Sequence, residues 1–214
     1  MSLLEEISVA LQSGRSKLVV EKVNAALAEG MSPSAILNDG LLAGMSVIGE
    51  RFQKNEVYVP EVLVAARAMN KGTEILKPLL AEDGAEALGR ACIGTIQGDL
   101  HDIGKNLVRM MLEGKGIEVI DLGVSVDPET FINTAIEKNC DIICCSALLT
   151  TTMGHMKDVV DLAVEKGIRD KVFIMVGGAP VTQAFCDQIG ADCYTSDAAS
   201  ASDRAADYLR SKKV

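Results

Sequence analysis

The spacing of apolar residues changes once along this chain, close to residue 90, and this change constrains the fold more than any other feature. Before that point apolar residues recur every three or four positions, as on one face of a helix. After it, short runs rich in β-branched residues alternate with helical stretches. Two periods in separate blocks predict two domains: a helical domain over residues 1–84 and an α/β domain over residues 90–214, with "LAEDGAEALG" (80–89) as the linker.

The first block predicts four helices packed as a small N-terminal bundle. Two apolar runs show the helical spacing most clearly: Leu37, Leu41, Gly44, Ile48 and Phe52, then Val62, Ala65, Ala66, Met69 and Leu76. Between helices, "EGMSPS" (29–34) offers Ser32 as an N-cap and Pro33 as the first helical residue. The polar stretch "QKNEVYVPE" separates two further helices and predicts that the second of them begins at Pro60.

The second block predicts about five βα units. Its strand-like runs are "ACIGTI", "EVIDLG", "DIICCSAL", "VFIMVGG" and the weaker "DCYTS", and helical patterns follow most of them. Strands that alternate with helices form a parallel sheet, because each helix carries the chain back across the sheet. The expected fold is therefore an α/β domain with a doubly wound parallel sheet of the flavodoxin-like kind.

The composition limits the partners of such a chain. Its 30 acidic and 21 basic residues give a net charge of −9, which disfavours a nucleic-acid surface because phosphate binding needs clustered Lys and Arg. No apolar run approaches the ~20 residues of a membrane span, and the N-terminus carries acids where a signal peptide carries bases. We therefore expect a cytoplasmic protein with no nucleic-acid and no membrane partner. The six cysteines show no C-x-x-C spacing and are expected to be reduced, buried thiols.

Polar residues and glycines gather where the predicted strands end. In a doubly wound sheet, ligands bind outside the carboxyl ends of the strands, near the switch in strand order. Four segments lie at these ends: Gly98–Asp102, Ser146–Thr152, Gly177–Gly178 and Ser196–Ala198. The first of them holds one of the two histidines of the chain, so its chemistry carries the functional argument.

The stretch "GDLHDIGKN" (98–106) places His101 two residues after Asp99. A capping or surface histidine is the simplest interpretation, and Asp102 suits the positive end of a following helix in any case. A metal ligand is the alternative, since a ligating histidine usually donates its other N–H to a carboxylate, which Asp99 offers. One histidine cannot hold a bare ion. It suits a metal that a macrocycle already holds and that needs only an axial ligand.

Other ligand classes fit less well. The glycines Gly94, Gly98 and Gly104 are spaced G-x3-G-x5-G, and neither G-x-G-x-x-G nor G-x4-G-K-[ST] occurs, which disfavours dinucleotides and nucleoside triphosphates. A phospho-receiver domain needs clustered acids after its first strand and a lysine on its last strand. "IGTIQGDLHD" supplies a different group of residues, and "YTSDA" has no lysine. His155 falls inside a helical pattern with no acid partner expected nearby, and we interpret it as structural.

Several motifs together resemble one family. "GDLHDIGKN" matches the D-x-H-x-x-G motif of cobalamin-binding domains, and "SALLTTT" and "VGGAP" lie where that family has its S-x-L and G-G motifs. The segment "LLAGMSVIGERFQKNEVYVPEVLVAARAM" resembles the helical cap of corrinoid methyltransferase proteins. The chain is therefore similar, over nearly its whole length, to corrinoid (cobalamin-binding) proteins of methyltransferase systems. It resembles the methylamine and methanol types and the cobalamin-binding module of methionine synthase.

The resemblance implies a role for each motif residue. His101 would be the lower axial ligand to the cobalt of cobalamin, in place of the cofactor's own dimethylbenzimidazole, with Asp99 bonded to His101 and Thr152 or Ser146 extending the relay. The rest of the ligand loop would be Gly98, Leu100, Asp102 and Gly104. The slot for the displaced nucleotide tail would be lined by Ser146, Leu148, Thr150, Gly177, Gly178 and Ala198. An apolar lid over the methyl-bearing face would consist of Phe52, Tyr58, Val59 and Val62. Asn38 stands where methionine synthase has a glutamate near the cofactor, which puts that contact in doubt.

The implied function is a methyl carrier rather than a complete enzyme. Cobalt would cycle between Co(I) and the methyl-Co(III) of methylcobalamin. A substrate-specific methyltransferase would load the methyl group, a second methyltransferase would deliver it to a thiol or pterin, and a reductive activation protein would restore Co(I). A cobalamin-sensing regulatory module and an adenosylcobalamin mutase subunit are the alternatives. Methylamines, methanol, methoxyarenes and quaternary amines all stay open as methyl donors.

Overall fold

The computed structural model describes residues 1–82 and 87–212 and separates into two units, which meet in the sequence between Ala87 and Leu88. Gly114–Gly116 group with the N-terminal unit. Part of the predicted linker, including Gly84, lies outside the described residues. None of the helices in the described ranges is both long and apolar enough to cross a membrane.

Within the described residues, the N-terminal unit consists of four helical segments, as the sequence predicts. They are α1 (Leu3–Gln12), α2 (Ser16–Ala28), a continuous segment made of α3 (Pro33–Ala35), a π-helical stretch (Ile36–Leu42) and α4 (Ala43–Gln53), and finally α5 (Val59–Glu82). The predicted cap is present, because the Ser32 hydroxyl accepts a hydrogen bond from the amide of Ala35 and Pro33 is the first helical residue. Helix α5 begins one residue before the predicted Pro60.

The π-helical stretch corrects one detail of the predicted bundle. The predicted apolar face began at Leu37, but Ile36 is fully buried and Leu37 is only partly buried. A π-turn adds one residue per turn and so rotates the side chains that follow it relative to an α-helix. The predicted face of α5 is correct, because all five of its residues are buried: Val62, Ala65, Ala66, Met69 and Leu76.

The C-terminal unit is a five-stranded parallel sheet with helices between the strands. The strands are β1 (Arg90–Ile96), β2 (Glu118–Val126), β3 (Ile142–Ser146), β4 (Phe173–Gly177) and β5 (Cys193–Tyr194), in the order β2-β1-β3-β4-β5. The helices are α6 (Ile103–Glu113), α7 (Pro128–Glu137), α8 (Gly154–Glu165), α9 (Gln183–Ile189) and α10 (Ala198–Lys212), with a 3-10 turn at Arg169–Lys171. This strand order confirms the flavodoxin-like prediction and places the switch point beside β1.

Two elements differ from the sequence prediction. Strand β2 runs three residues past the predicted "EVIDLG". Its pairing with β1 is irregular around Gly94. On β2 itself, Gly123 and Ser125 have positive φ angles of 87° and 52°. The short helix α9 lacks a clear apolar period of its own in the sequence. Thr182 caps it, and its buried side chains Cys186 and Ile189 hold it in place.

Apolar residues cover both faces of the sheet. One layer includes Ile96, Phe131, Ile143 and Val176, and the other includes Ile93, Leu112, Ile142 and Leu209. All six cysteines are buried and free, as predicted, and burial raises the pKa of the Cys144 thiol to about 12. The Cys144 thiol is therefore a core residue rather than a nucleophile.

Candidate functional site

The site lies in the loop that joins β1 to α6, at the carboxyl end of β1 and beside the switch in strand order. The loop turns back at once, because the amide of Asp99 donates to the carbonyl of Ile96 over 3.1 Å. Gly98 makes this turn possible with a φ of 81°, a region that other residues rarely adopt. The turn carries Asp99 into the protein and leaves His101 at the surface.

The buried carboxylate of Asp99 organises the loop. Its side chain has no exposed surface. Oδ1 accepts the backbone N–H of His101 over 3.0 Å and lies 2.7 Å from the Nδ1 atom of the same residue. Oδ2 accepts the amides of Leu148 and Leu149, over 2.7 and 3.1 Å, from the segment that follows β3. Asp99 therefore joins the loop after β1 to the loop after β3.

These donors keep Asp99 ionised. Burial alone would raise the pKa of the carboxyl, but the hydrogen bonds from Leu148, His101 and Leu149 outweigh it and hold the pKa well below its usual range. An ionised carboxylate can only accept hydrogen bonds. The Nδ1 atom of His101 must therefore carry the hydrogen that lies between the two residues.

The assignment of that hydrogen decides the chemistry of His101. A neutral imidazole with Nδ1–H has its free lone pair on Nε2, which is the arrangement found in ligating histidines supported by a carboxylate. The His101 side chain is 52% exposed, so Nε2 is open to a ligand. The hydroxyl of Thr95 donates to the carbonyl of His101 over 2.8 Å and fixes the backbone behind the ring.

Exposed apolar side chains flank this ring. Leu100 is 72% exposed and Ile103 is 77% exposed, and Leu148 and Leu149 across the loop are also exposed. Large apolar side chains grouped around a polar atom in this way are typical of a binding surface. The site therefore offers one nitrogen ligand in an apolar setting. Among the described residues, no group of three or more His, Cys, Asp and Glu side chains is placed to hold a metal ion.

The structure places Thr152 close to Asp99. Its Oγ1 lies 3.4 Å from Oδ2 of Asp99 and donates more closely, over 2.9 Å, to the carbonyl of Leu149. A hydroxyl has one hydrogen, and that of Thr152 is directed mainly to Leu149. Thr152 therefore chiefly stabilises the turn that presents the amides of Leu148 and Leu149 to Asp99. Ser146 ends β3 and pairs in register with Thr95 and Gly177.

The predicted glycine positions lie along the same edge of the sheet. Gly178 has a φ of 126°, and a Cβ there would lie 1.8 Å from the carbonyl oxygen of Ala147. A Cβ on Gly104 or Gly177 would meet no heavy atom within 4 Å, so the backbone at these two positions borders open space. Thr150 is exposed in the loop after β3, and Ala198 is the buried first residue of α10.

The remaining predicted site residues lie in the helical unit. Asn38 is exposed on the π-helical stretch, and Tyr58 is 64% exposed just before α5. Phe52 and Val59 are partly buried, whereas Val62 is fully buried. Their role in a lid stays a prediction.

His155 differs from its prediction in one respect. It lies in the first turn of α8, and its Nδ1 atom is 2.9 Å from a carboxylate oxygen of Asp158. An acid partner is therefore present, because residues three apart on a helix are neighbours. The pair is exposed on the helix surface, so the structural interpretation of His155 stands.

Sequence reasoning missed several residues that support the loop. Ser125 accepts the amide of Gly98 on its Oγ over 3.1 Å and donates its own amide to the carbonyl of Asp99 over 2.9 Å. Lys105 is buried and bonded to Asp121 on β2. The only local signal was "GKN" itself, which places a lysine in the first turn of a helix where an acid would be more favourable.

The chain is similar to known corrinoid proteins over its whole described length. A family model described as a B12 binding domain matches residues 89–203, and a second model with the same description matches residues 3–77. The dimethylamine corrinoid protein of Methanosarcina barkeri is 45% identical over 208 residues, which cover 97% of each chain. Trimethylamine corrinoid protein 1 of Methanosarcina acetivorans is 45% identical over 184 residues, 85% of each chain.

Solved structures show the same fold. A methanol:cobalamin methyltransferase complex from Methanosarcina barkeri matches with a TM-score of 0.88 and 32% identity, over 97% of this chain and 80% of that one. A cobalamin-binding protein from Desulfitobacterium hafniense matches with a TM-score of 0.78 and 28% identity, over 94% and 96% of the two chains.

Proposed function

This chain belongs to the family of B12-binding corrinoid proteins, and on that premise we propose that it carries a methyl group on a corrinoid between two methyltransferases. The observation that carries the proposal is the imidazole of His101, whose Nδ1–H is bound by a fully buried carboxylate. That arrangement leaves Nε2 as a single, exposed nitrogen ligand. A cobalt ion that a corrin ring already holds would need only one such ligand from the protein.

The residues of the site fit the cofactor on structural grounds. His101 would ligate the cobalt, and the exposed apolar side chains of Leu100 and Ile103 would help to hold the corrin ring. The open backbone at Gly104 and Gly177 would let a large flat ligand and its tail approach closely. When bound, the cofactor supplies cobalt that takes up and gives up a methyl group.

The Asp99–His101 pair gives the site a defined place for a proton. Asp99 keeps its charge because its hydrogen bonds hold the pKa of the carboxyl below its usual range. When the imidazole is not ligating, a proton would therefore bind at Nε2 of His101 and not at Asp99. The carboxylate lies 2.7 Å from Nδ1 and would hold the ring in place whether Nε2 binds the ligand or a proton.

We propose methylamines, with dimethylamine first, as the source of the methyl group. The relatives named for dimethylamine and trimethylamine systems are 40–46% identical to this chain, against 32% for the methanol complex. These names favour a carrier over a cobalamin-sensing regulator or a mutase subunit. The partners we propose are a methylamine-specific methyltransferase, a second methyltransferase that acts on a thiol or pterin, and a reductive activation protein.

A reconstitution experiment tests the proposal. The protein is loaded with hydroxocobalamin, reduced, and mixed with dimethylamine in the presence or absence of a dimethylamine-specific methyltransferase, while visible absorbance of the cofactor is recorded. We expect a spectral change only when the methyltransferase and dimethylamine are both present. Turnover of dimethylamine by the isolated chain would contradict the assignment as a carrier. Turnover with methanol and a methanol-specific methyltransferase, but not with dimethylamine and its methyltransferase, would contradict the assignment to methylamines.

A second measurement tests the ligand itself. In the Co(II) form, hyperfine splitting from one axial nitrogen should appear in the electron paramagnetic resonance spectrum and change when histidine is labelled with nitrogen-15. His101→Ala should abolish this label-dependent splitting, whereas the exposed His155→Ala serves as a matched control and should keep it. Splitting that still depends on the histidine label in His101→Ala would exclude His101 as the ligand.

A further inference from the structure

Lys105 is the one lysine among the described residues whose side chain is almost fully buried, with 2% of it exposed. Its ammonium group lies 2.6 Å from Oδ1 of Asp121 and 2.8 Å from Oδ1 of Asn106. Burying a charge is unfavourable unless partners replace its lost water. Lys105 has no role in the proposed ligation of cobalt. The contacts of its two partners indicate what the buried charge does.

One set of contacts runs from Lys105 to the residues before His101. Oδ1 of Asp121 also accepts the amide of Gly123 over 3.0 Å, which holds the irregular end of β2. That end leads to Ser125, whose Oγ accepts the amide of Gly98 over 3.1 Å. The amide of Ser125 donates to the carbonyl of Asp99 over 2.9 Å. Lys105 is thus linked to the backbone of the residue that fixes the histidine ring.

A second set of contacts runs from Lys105 to the residue after His101. The side-chain amide of Asn106, which accepts from Lys105, donates to Oδ2 of Asp102 over 3.0 Å. The backbone amide of Asn106 donates to the carbonyl of Asp102 over 2.8 Å. A single buried cation is therefore connected to the loop on both sides of His101.

Asp121 is bound as a charged partner. Burial raises the pKa of its carboxyl, but the hydrogen bonds from Lys105 and Gly123 and the nearby charge of Arg109 lower it overall. A charge-assisted hydrogen bond of this kind is shorter and stronger than a neutral one, and it fixes direction as well as distance. Arg109 reaches the other oxygen of Asp121 over 3.1 Å, so the carboxylate is held from two sides.

We propose that Lys105 is a positioning residue, which sets the place of His101 through Asp121 and Ser125 on one side and through Asn106 on the other. The role in ligation rests on the proposed function, but the linkage itself is a property of the protein without cofactor. Lys105 does not touch the ring of His101. It holds the two backbone segments between which the ring is presented.

The test compares Lys105→Met with Lys157→Met. Methionine keeps most of the length of the side chain and removes the ammonium group. Lys157 forms an exposed pair with Asp161 on α8. Lys157→Met therefore removes the same charge and the same kind of ion pair, but at a position far in sequence from the loop that carries His101. Amide hydrogen exchange of the protein without cofactor reports on the Gly98 and Ser125 amides, both of which donate in the linkage. Lys105→Met should speed both by about tenfold or more, and Lys157→Met should leave them unchanged.

A double-mutant cycle separates positioning from general stability. Ser125 is exposed, so Ser125→Ala should fold normally and should speed exchange at Gly98 by removing its acceptor. If the linkage operates, adding Lys105→Met to Ser125→Ala should speed exchange at Gly98 little further, because both changes break one path. If the two substitutions instead speed exchange at Gly98 independently, so that their factors multiply in the double variant, the proposal is overturned. If Lys105→Met folds poorly, Lys105→Gln takes its place in the cycle, because glutamine removes the charge but keeps a polar side chain that can bond to Asp121 and Asn106.

The cofactor form gives the final readout. With cobalamin bound as Co(II), Lys105→Met and Ser125→Ala should each lower the fraction of protein that shows histidine nitrogen splitting, while Lys157→Met matches the parent. Full splitting in Lys105→Met, with exchange at Gly98 and Ser125 unchanged, would overturn the positioning role. Absence of histidine splitting in the parent protein would instead refute the proposed ligation, and the exchange results would still decide the linkage.

Discussion

Replacing Asp99 by asparagine removes one charge and one acceptor from the centre of the site. The carboxylate now accepts from His101 on Oδ1 and from Leu148 and Leu149 on Oδ2. Asparagine has one oxygen and one NH2 group, so it can serve only one of these two sides. If its oxygen faces His101, the NH2 group opposes two backbone amides. If its oxygen faces the two amides, the NH2 group opposes the backbone N–H of His101 and donates to Nδ1.

The number of amides left without an acceptor decides between the two orientations. Each partly buried N–H without an acceptor costs about 1–3 kcal/mol. The first orientation leaves two such groups and the second leaves one, so the second is favoured by about 1–3 kcal/mol, or roughly five- to a hundredfold in population. In that orientation Nδ1 accepts and Nε2 carries the hydrogen. Asp99→Asn should therefore fold with about 1–3 kcal/mol less stability. Only a minor fraction of its molecules should present a histidine with Nε2 free to ligate.

Nitrogen-15 chemical shifts of labelled histidine measure this change of tautomer directly, without cofactor. In the parent, Nδ1 of His101 should give the shift of a protonated nitrogen, and in Asp99→Asn it should give that of an unprotonated one. The Co(II) form of Asp99→Asn should show a smaller fraction of protein with histidine splitting. Asp158→Asn is the matched control, because it removes the same charge from the exposed His155–Asp158 pair and leaves the loop after β1 unchanged. A parent-like tautomer in Asp99→Asn would refute the assignment of the hydrogen to Nδ1.

Three further predictions follow from single positions. Gly178→Ala should destabilise the protein by at least about 2 kcal/mol in chemical unfolding, because its φ is 126° and its Cβ would meet the carbonyl of Ala147; a stable variant with normal cobalamin affinity would show that the backbone there adapts freely. Gly104→Ala should preserve the stability of the protein without cofactor or raise it by up to about 1 kcal/mol, since its Cβ meets no atom within 4 Å. It should weaken cobalamin binding in an absorbance titration, and unchanged affinity would remove Gly104 from the binding surface. Asp127→Ala should cost about 1 kcal/mol at neutral pH, because Asp127 caps α7 by accepting the amide of Thr130 over 2.8 Å. The hydrogen bonds from Thr130 lower the pKa of Asp127, so this contribution is present above the unfolded pKa of about 4 and is lost as pH falls through the lower folded value. Thermal unfolding of parent and variant between neutral and acid pH should show the difference shrink, and a constant difference would contradict the ionised cap.

Local features of the sequence predicted the elements and the centre of the site. The change of apolar period near residue 90 predicted a helical bundle and a doubly wound sheet, because that period reports which face of each element is buried. The spacing of Asp99 and His101 predicted a supported imidazole, because two residues in one turn are neighbours in any fold that has the turn. Ser32 and Pro33 predicted a helix start for the same reason, since capping is a contact between residues three apart.

Contacts between distant segments were outside the reach of such patterns. The amide of Leu148 meets Asp99 across 49 positions of sequence, and the register of β1 with β3 decides that meeting. Ser125 reaches Gly98 because β2 extends past its predicted end with an irregular pairing. A lone serine such as Ser125 carries no local signal for such a contact.

The sequence by itself determined the two-part architecture, the order of helices and strands, and the histidine with its carboxylate. Each of these depends on neighbours along the chain, whose geometry the backbone imposes. Only the tertiary structure decided which nitrogen of His101 is free, because that depends on donors from the β3 loop that keep Asp99 ionised. It also decided the place of Lys105, because the free energy of a buried charge depends on partners that the folded sheet brings to it.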